Sequence, residues 1–298
     1  MDPCDIVRLR PLMQRTEGSV ELAVGLIDGP VALDHPWLAP ARVVSLDGSA
    51  VPCDAGMACR HGTGVAGILF ARRGSSAPAL CPGCTLMVRP IFGREANGSG
   101  PGLAHPNELA SAIAACVQAG ARVINLSAAM AGNGVRDTHV LHAALDLCAR
   151  RGTLVVAAAG NRGGVGGSLI TSHPWVIPVC ACDAHGRPQA YSTHGMSIGR
   201  QGLGAPGDAI ASLAPGGKAA RIDGTSAAAA FVTGAIALLW SLFPEASAGR
   251  IKSAVAGPPG RRRSIVPPLL DAEAAWLALA REQLSSSVFH HQPQGAFS

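Results

Sequence analysis

Charge is scarce in this 298-residue chain: Asp, Glu, Lys and Arg together make up 14%, and aromatic residues only 4%, with a single Tyr. A chain so poor in charge and so rich in apolar residues (48%) and Gly (37) is neither a disordered segment nor a solvated helical bundle; it describes buried strands joined by tight turns. The N-terminus, Met1-Asp2-Pro3-Cys4-Asp5, carries two acids and no apolar core of signal-peptide length, and the first apolar run, over residues 20–27, is short enough to be a strand. A cytoplasmic protein with no membrane partner is the expectation. The net charge of +5 is dispersed, and its one dense run, Arg261-Arg262-Arg263, lies between proline pairs, where a surface loop is expected. No aromatic interleaving and no reading helix accompany it, which argues against nucleic acid as a partner.

Cysteine is the exception to this sparseness, with nine residues. They sit in surroundings such as Ala114-Ala115-Cys116-Val117 and Val179-Cys180-Ala181-Cys182, where a free thiol behaves as a small hydrophobe. Cys81-Pro82-Gly83-Cys84 has the spacing of a redox motif or of half a zinc site, but no second pair at ligand spacing lies nearby, so no metal is expected. A disulfide joining this turn to Cys53 or Cys59 is the alternative.

Apolar runs bounded by Gly, Pro or Asn occupy residues 21–28, 85–92, 122–127, 153–158 and 176–182, each the length of a buried parallel strand. Ala-rich stretches of helical period lie between several of them, over residues 62–71, 107–119, 138–150 and 225–243. This alternation predicts an α/β fold with a doubly wound, mostly parallel sheet flanked by helices, in which function gathers at the carboxyl ends of strands. One domain is expected over residues 20–283, after an extension at 1–19 and before a flexible Ser-, Gln- and His-rich tail at 284–298.

Four polar residues stand at the ends of such elements. Val24-Gly25-Leu26-Ile27-Asp28-Gly29 closes an apolar strand on a carboxylate, suited either to orienting an imidazole or to capping the next turn. Cys59-Arg60-His61-Gly62-Thr63-Gly64 puts His61 at a helix start, as a base or as a cap. Ala158-Ala159-Gly160-Asn161 runs a strand into an amide donor that either meets an oxyanion or makes a turn. Asp223-Gly224-Thr225-Ser226 opens a long apolar helix, with Ser226 either a nucleophile in the field of the helix N-terminus or its N-cap. Each structural reading is respectable alone. The order acid, His, amide, Ser, all at element ends, is what points to chemistry.

With these motifs in this order, residues 21–279 resemble the subtilisin, or subtilase, family of serine proteases. The matching stretches are Leu26-Ile27-Asp28-Gly29-Pro30-Val31, His61-Gly62-Thr63-Gly64-Val65-Ala66-Gly67, Ala158-Ala159-Gly160-Asn161 and Gly224-Thr225-Ser226. The resemblance implies a catalytic triad of Asp28, His61 and Ser226, with Asn161 as oxyanion donor and no cofactor. Gly98-Ser99-Gly100-Pro101-Gly102 resembles the family's substrate-pairing edge, and Ile124-Asn125-Leu126-Ser127 the opposite edge beside the specificity pocket. Gly100, Gly102 and Ser127 are thus implied to hold an extended peptide as an added strand. Arg162, beside the oxyanion amide, would favour an acidic or polar residue before the scissile bond, or else points to solvent.

There are departures. Subtilases usually carry His where Gly64 stands, and Met, Ala, x, Pro, His after the nucleophile, where this chain reads Ala227-Ala228-Ala229-Ala230-Phe231. The loop Arg72-Arg73-Gly74-Ser75-Ser76-Ala77-Pro78 has no acid and is a poor calcium site, and neither the secretion signal nor the folding prodomain usual in secreted members is expected. Within the family, Asp28-Gly29-Pro30-Val31-Ala32-Leu33-Asp34-His35-Pro36 and Val266-Pro267-Pro268-Leu269-Leu270-Asp271-Ala272 resemble the proteases that mature cyanobactins and related ribosomally made peptides. The implied substrate is a precursor peptide. Macrocyclising members are similar but carry an added helical insertion; the short stretch between Asp28 and His61 shows no amphipathic helix pair, which favours hydrolysis. A peptide ligase, and a pseudoprotease that binds peptide without cutting it, are the rival readings.

Overall fold

The computed structural model describes residues 1–46, 53–91, 105–127, 138–257 and 263–289. Six of its strands are β1 (Ala23–Asp28), β3 (Thr85–Pro90), β4 (Val123–Leu126), β5 (Leu154–Ala158), β6 (Val176–Cys182) and β7 (Leu203–Pro206); with β2 (Arg42–Ser45) at one edge they form a seven-stranded sheet of order β2-β3-β1-β4-β5-β6-β7. Every pairing in that sheet is parallel. Apolar residues at successive strand positions point to opposite faces, so a continuous apolar strand fills two cores at once. In β1, Val24 and Leu26 enter one core, while Ala23 and Ile27 enter the other.

Helices cover both faces. The larger core holds α3 (Met57–Phe70) and α8 (Thr225–Leu242), with α9 (Ala248–Ala256) and α10 (Ala272–Phe289) outside them. The smaller core holds α4 (Pro106–Gln118), α5 (Thr138–Arg151) and the short α6 (Leu169–Ser172). α7 (Met196–Gln201) leads into β7. α8 is long and apolar enough to cross a membrane, but 89% of it is buried within the molecule, where it packs on β4, β5, β6 and β7. Its Ala-rich sequence brings the helix close to the sheet.

Four features differ from the expectation. The extension at residues 1–19 is built as α1 (Pro3–Ile6) and α2 (Arg10–Met13), and Cys4, Val7, Leu9 and Leu12 of this segment are buried in the larger core. β8 (Ile210–Ala214) and β9 (Lys218–Ile222) form an antiparallel hairpin that turns on Gly216 and Gly217, both at positive φ. Cys53 pairs with Cys59 across a Cα–Cα distance of 5.3 Å, so neither is joined to the Cys81–Cys84 turn, whose two thiols are free and buried. α10 carries helix through Leu284 to Phe289.

The strand order fixes where function can sit. From β1 the chain crosses to β2 and β3 on one side, then returns to lay down β4 to β7 on the other. The reversal leaves a crevice at the carboxyl end of β1, and Asp28 is the last residue of that strand.

Candidate active site

Asp28 is fully buried at the tip of β1. Its Oδ1 accepts a 2.6 Å hydrogen bond from the Gly29 backbone and another, also 2.6 Å, from His61 Nδ1. Capping and orienting are therefore both done by one oxygen. A carboxylate only accepts, so Nδ1 carries the proton and Nε2 is left with a lone pair facing away from Asp28. Oδ2 is buried with no hydrogen-bond partner among the described residues, which leaves His61 as the group that compensates this charge. Burial pulls the His61 pKa down; the charge and hydrogen bond of Asp28 outweigh it and leave the pKa above the ordinary value.

α3 starts at Met57, not near Gly62, so His61 lies in the second turn and not at the helix start. Glycines bring that turn onto β1. A Cβ at Gly62 would fall on Gly29 O and lie 2.5 Å from Pro30 O. Further along the same helix, a Cβ at Gly64 would lie 2.7 Å from Ile222 Cγ2, at the end of β9 just before the nucleophile motif. The small residue at position 64 thus lets the helix bearing His61 meet the hairpin that leads to Ser226.

Ser226 is the second residue of α8 and 5% exposed. The N-cap is Gly224 at φ 109, so Ser226 is not the cap. At this position its backbone N–H has no intrahelical acceptor and points out of the positive helix end. No hydrogen bond joins the Ser226 hydroxyl to His61; such contacts are often loose until substrate is bound.

Asn161 is held from the other side. Its Oδ1 accepts from Thr225 N and Thr225 Oγ1, each at 2.9 Å. Anchoring the oxygen leaves the NH₂ end as the free donor, and that Nδ2 packs against Gly224, where a Cβ would sit 2.7 Å away. Thr225 also accepts a bond from Gly160 N. Its part in positioning the amide had no signal of its own in the sequence.

Ser127 is 8% exposed, and its Oγ accepts from Asn125 Nδ2 at 3.0 Å; Asn125 in turn accepts from Thr233 in α8 at 2.9 Å. Its backbone N–H donates to Ile27 O, beside Asp28. Arg162 is exposed. Gly100 and Gly102 lie outside the described residues. In the acid-free loop after α3, the Arg73 guanidinium donates to Thr16 O at 2.8 Å and Leu80 O at 3.2 Å, so a protein cation ties that loop to the N-terminal segment.

The model of the subtilase family (Peptidase_S8) matches residues 20–256. The chain belongs to the subtilase family. This subtilase is 32% identical over 232 residues to the thermophilic serine proteinase of Bacillus sp. (strain AK1), an alignment covering 76% of the chain and 54% of that relative. Against subtilisin DY of Bacillus licheniformis it is 30% identical over 236 residues, 77% of the chain and 80% of the relative. It therefore spans about half the length of the first and four fifths of the second. Among solved structures, a serine-to-alanine mutant of the protease domain of PatA superposes with a TM-score of 0.78 at 31% identity, over 89% of this chain and 97% of that one. The prenylagaramide maturation protease PagA gives 0.76 at 30%, over 91% and 98%.

Proposed function

We propose that this subtilase is a serine endopeptidase, working in the cytoplasm, that removes a leader from a ribosomally made precursor peptide. The observation that carries the reading is the 2.6 Å Asp28–His61 bond, with Ser226 and the outward amide of Asn161 built onto one helix start. In the proposed mechanism Ser226 Oγ attacks the peptide carbonyl while His61 Nε2 takes its proton, and Asp28 stabilises the imidazolium. The Asn161 amide and the Ser226 N–H bind the oxyanion. His61 returns the proton to the leaving amine, and water, activated by the same imidazole, releases the acyl group. Substrate choice is inferred from the likeness to PagA, named a maturation protease.

Ligation or macrocyclisation on the same site is the second reading. Against it, the described residues between Asp28 and His61 contain only β2 and the start of α3, with no inserted helix pair to keep water from an acyl-enzyme. Product mass separates the readings. Incubation with precursor peptides is expected to give fragments whose masses sum to the substrate plus one water. A product lighter by the excised segment and lacking that water would assign a ligase; unchanged peptide with measurable binding would assign a non-cutting binder.

A further inference from the structure

On the sheet face covered by α4 and α5, away from the catalytic groups, three potential ligands converge. His142 and Asp146 lie one turn apart in α5, and His173 is the C-cap of α6. His142 Nδ1 lies 3.3 Å from Asp146 Oδ2 and His173 Nε2 lies 3.2 Å from Oδ1, while the two imidazoles meet edge-on with centroids 4.8 Å apart. One donor atom from each residue falls within 4.8 Å of the others. None of the three has a part in the mechanism above.

The cluster has a fixed floor and an open mouth. The His173 side chain is 2% exposed, and its carbonyl is held by Gln201 Nε2 at 2.9 Å. His142 and Asp146 are 54% and 47% exposed. Two imidazole nitrogens and a carboxylate oxygen suit a borderline divalent ion; calcium and magnesium want more oxygen ligands, and soft ions want thiolates. Ligand atoms around a tetrahedral zinc stand about 3.3–3.4 Å apart, as its bond lengths dictate. His142 Nδ1 lies 3.3 Å from Oδ2 and His173 Nε2 lies 3.2 Å from Oδ1, spacings close to that edge but on different oxygens, so the exposed His142 and Asp146 side chains rotate to close the set around one of them.

We propose that His142, Asp146 and His173 bind one divalent transition-metal ion of the zinc class, with a fourth position open to water, tying α5 to α6. Two groups limit the affinity. Trp175 N donates to His173 Nδ1 at 3.3 Å, and a neutral ring that coordinates through Nε2 must carry its proton on Nδ1, so that bond is given up. Lys252 also stands near, though its ammonium is engaged by Pro174 O and lies 5.1 Å over the Trp175 ring. A micromolar site, not a buried structural one, is expected.

The test is calorimetric titration of the full chain with Zn²⁺, in the Ser226→Ala background to prevent self-cleavage, alongside the visible spectrum with Co²⁺. One equivalent bound, an intense four-coordinate Co²⁺ spectrum and a rise in Tm with Zn²⁺ are expected. His142→Ala and Asp146→Asn change exposed groups and leave the metal-free Tm nearly unaltered, but each is expected to weaken binding by more than the roughly 10–100-fold lost with an outer-shell partner. His61→Ala is expected to keep the site. No bound Zn²⁺, binding that survives both α5 substitutions, or binding lost with His61 would each overturn the proposal.

Discussion

At the scale of single residues, two side chains of the proposed site are held from behind so that their reactive atoms are free. Asp28 fixes the His61 tautomer, and Thr225 fixes Asn161 by its oxygen. Asn161→Ala is expected to lower kcat by about 10²–10³, the magnitude found for the oxyanion amide of subtilisin, with KM little changed. Thr225→Val keeps the backbone bond but loses the hydroxyl one; a fall in kcat of about tenfold, one hydrogen bond's worth, is expected from steady-state kinetics. The raised His61 pKa gives the pH dependence its sign. The base must be neutral, so kcat/KM falls as pH drops through the folded pKa, with a midpoint above the free imidazole value, and Asp28→Asn moves that midpoint down. Stability runs the other way: because protonated His61 is favoured in the folded state, its contribution is complete below the unfolded pKa and is lost as pH rises through the folded one. The places of Asp28 and His61 were readable from the order acid, His, amide, Ser at element ends, although neither residue pointed to chemistry alone. Thr225 was not, because nothing in Gly-Thr-Ser says which side chain will turn toward Asn161.

At the scale of elements, function depends on how closely α3 approaches the tip of β1. Gly62→Ala places a methyl on Gly29 O and 2.5 Å from Pro30 O, both backbone atoms that cannot step aside. The helix has to back away, which separates His61 from Asp28. A loss of about 1–3 kcal/mol in urea unfolding is expected, together with a fall in kcat/KM. Gly249→Ala in α9 makes the same chemical change with no atom within 4 Å of the new methyl, and is expected to stabilise by about 0.5–1 kcal/mol. Equal effects of the two would contradict the close-approach account. The long apolar strands and α8 were legible from period and length. The start of α3 was not, because residues 57–60 are a mixed, partly exposed turn that is helical only as the continuation of the buried turns from Gly62 onward. β2, with only Val44 less than exposed, and β9, with Lys218, Ala219 and Arg221 exposed, likewise lack the apolar run that marks a buried strand.

At the scale of the whole molecule, the two ends of the chain close the larger core. Arg8 pairs with Asp271 and Glu273, Ala272 N donates to Val7 O, and Arg15 lies 4.0 Å over the Trp276 ring. The exposed ion pairs contribute little; the buried Leu9 and Leu12 carry the contact. Leu9→Ala is expected to cost about 2–5 kcal/mol in urea unfolding, and a value near zero would show that the N-terminal helices are accessory. Such short helices pass for a polar extension in the sequence, since α2 packs on α8 and α10, both far away in the chain. The central claim, an activated serine at the start of α8, is tested most directly by the intact mass of the folded protein after exposure to a fluorophosphonate. One adduct on the wild type and none on Ser226→Ala is the predicted result; wild type that stays unlabelled, or Ser226→Ala that labels equally, would contradict it.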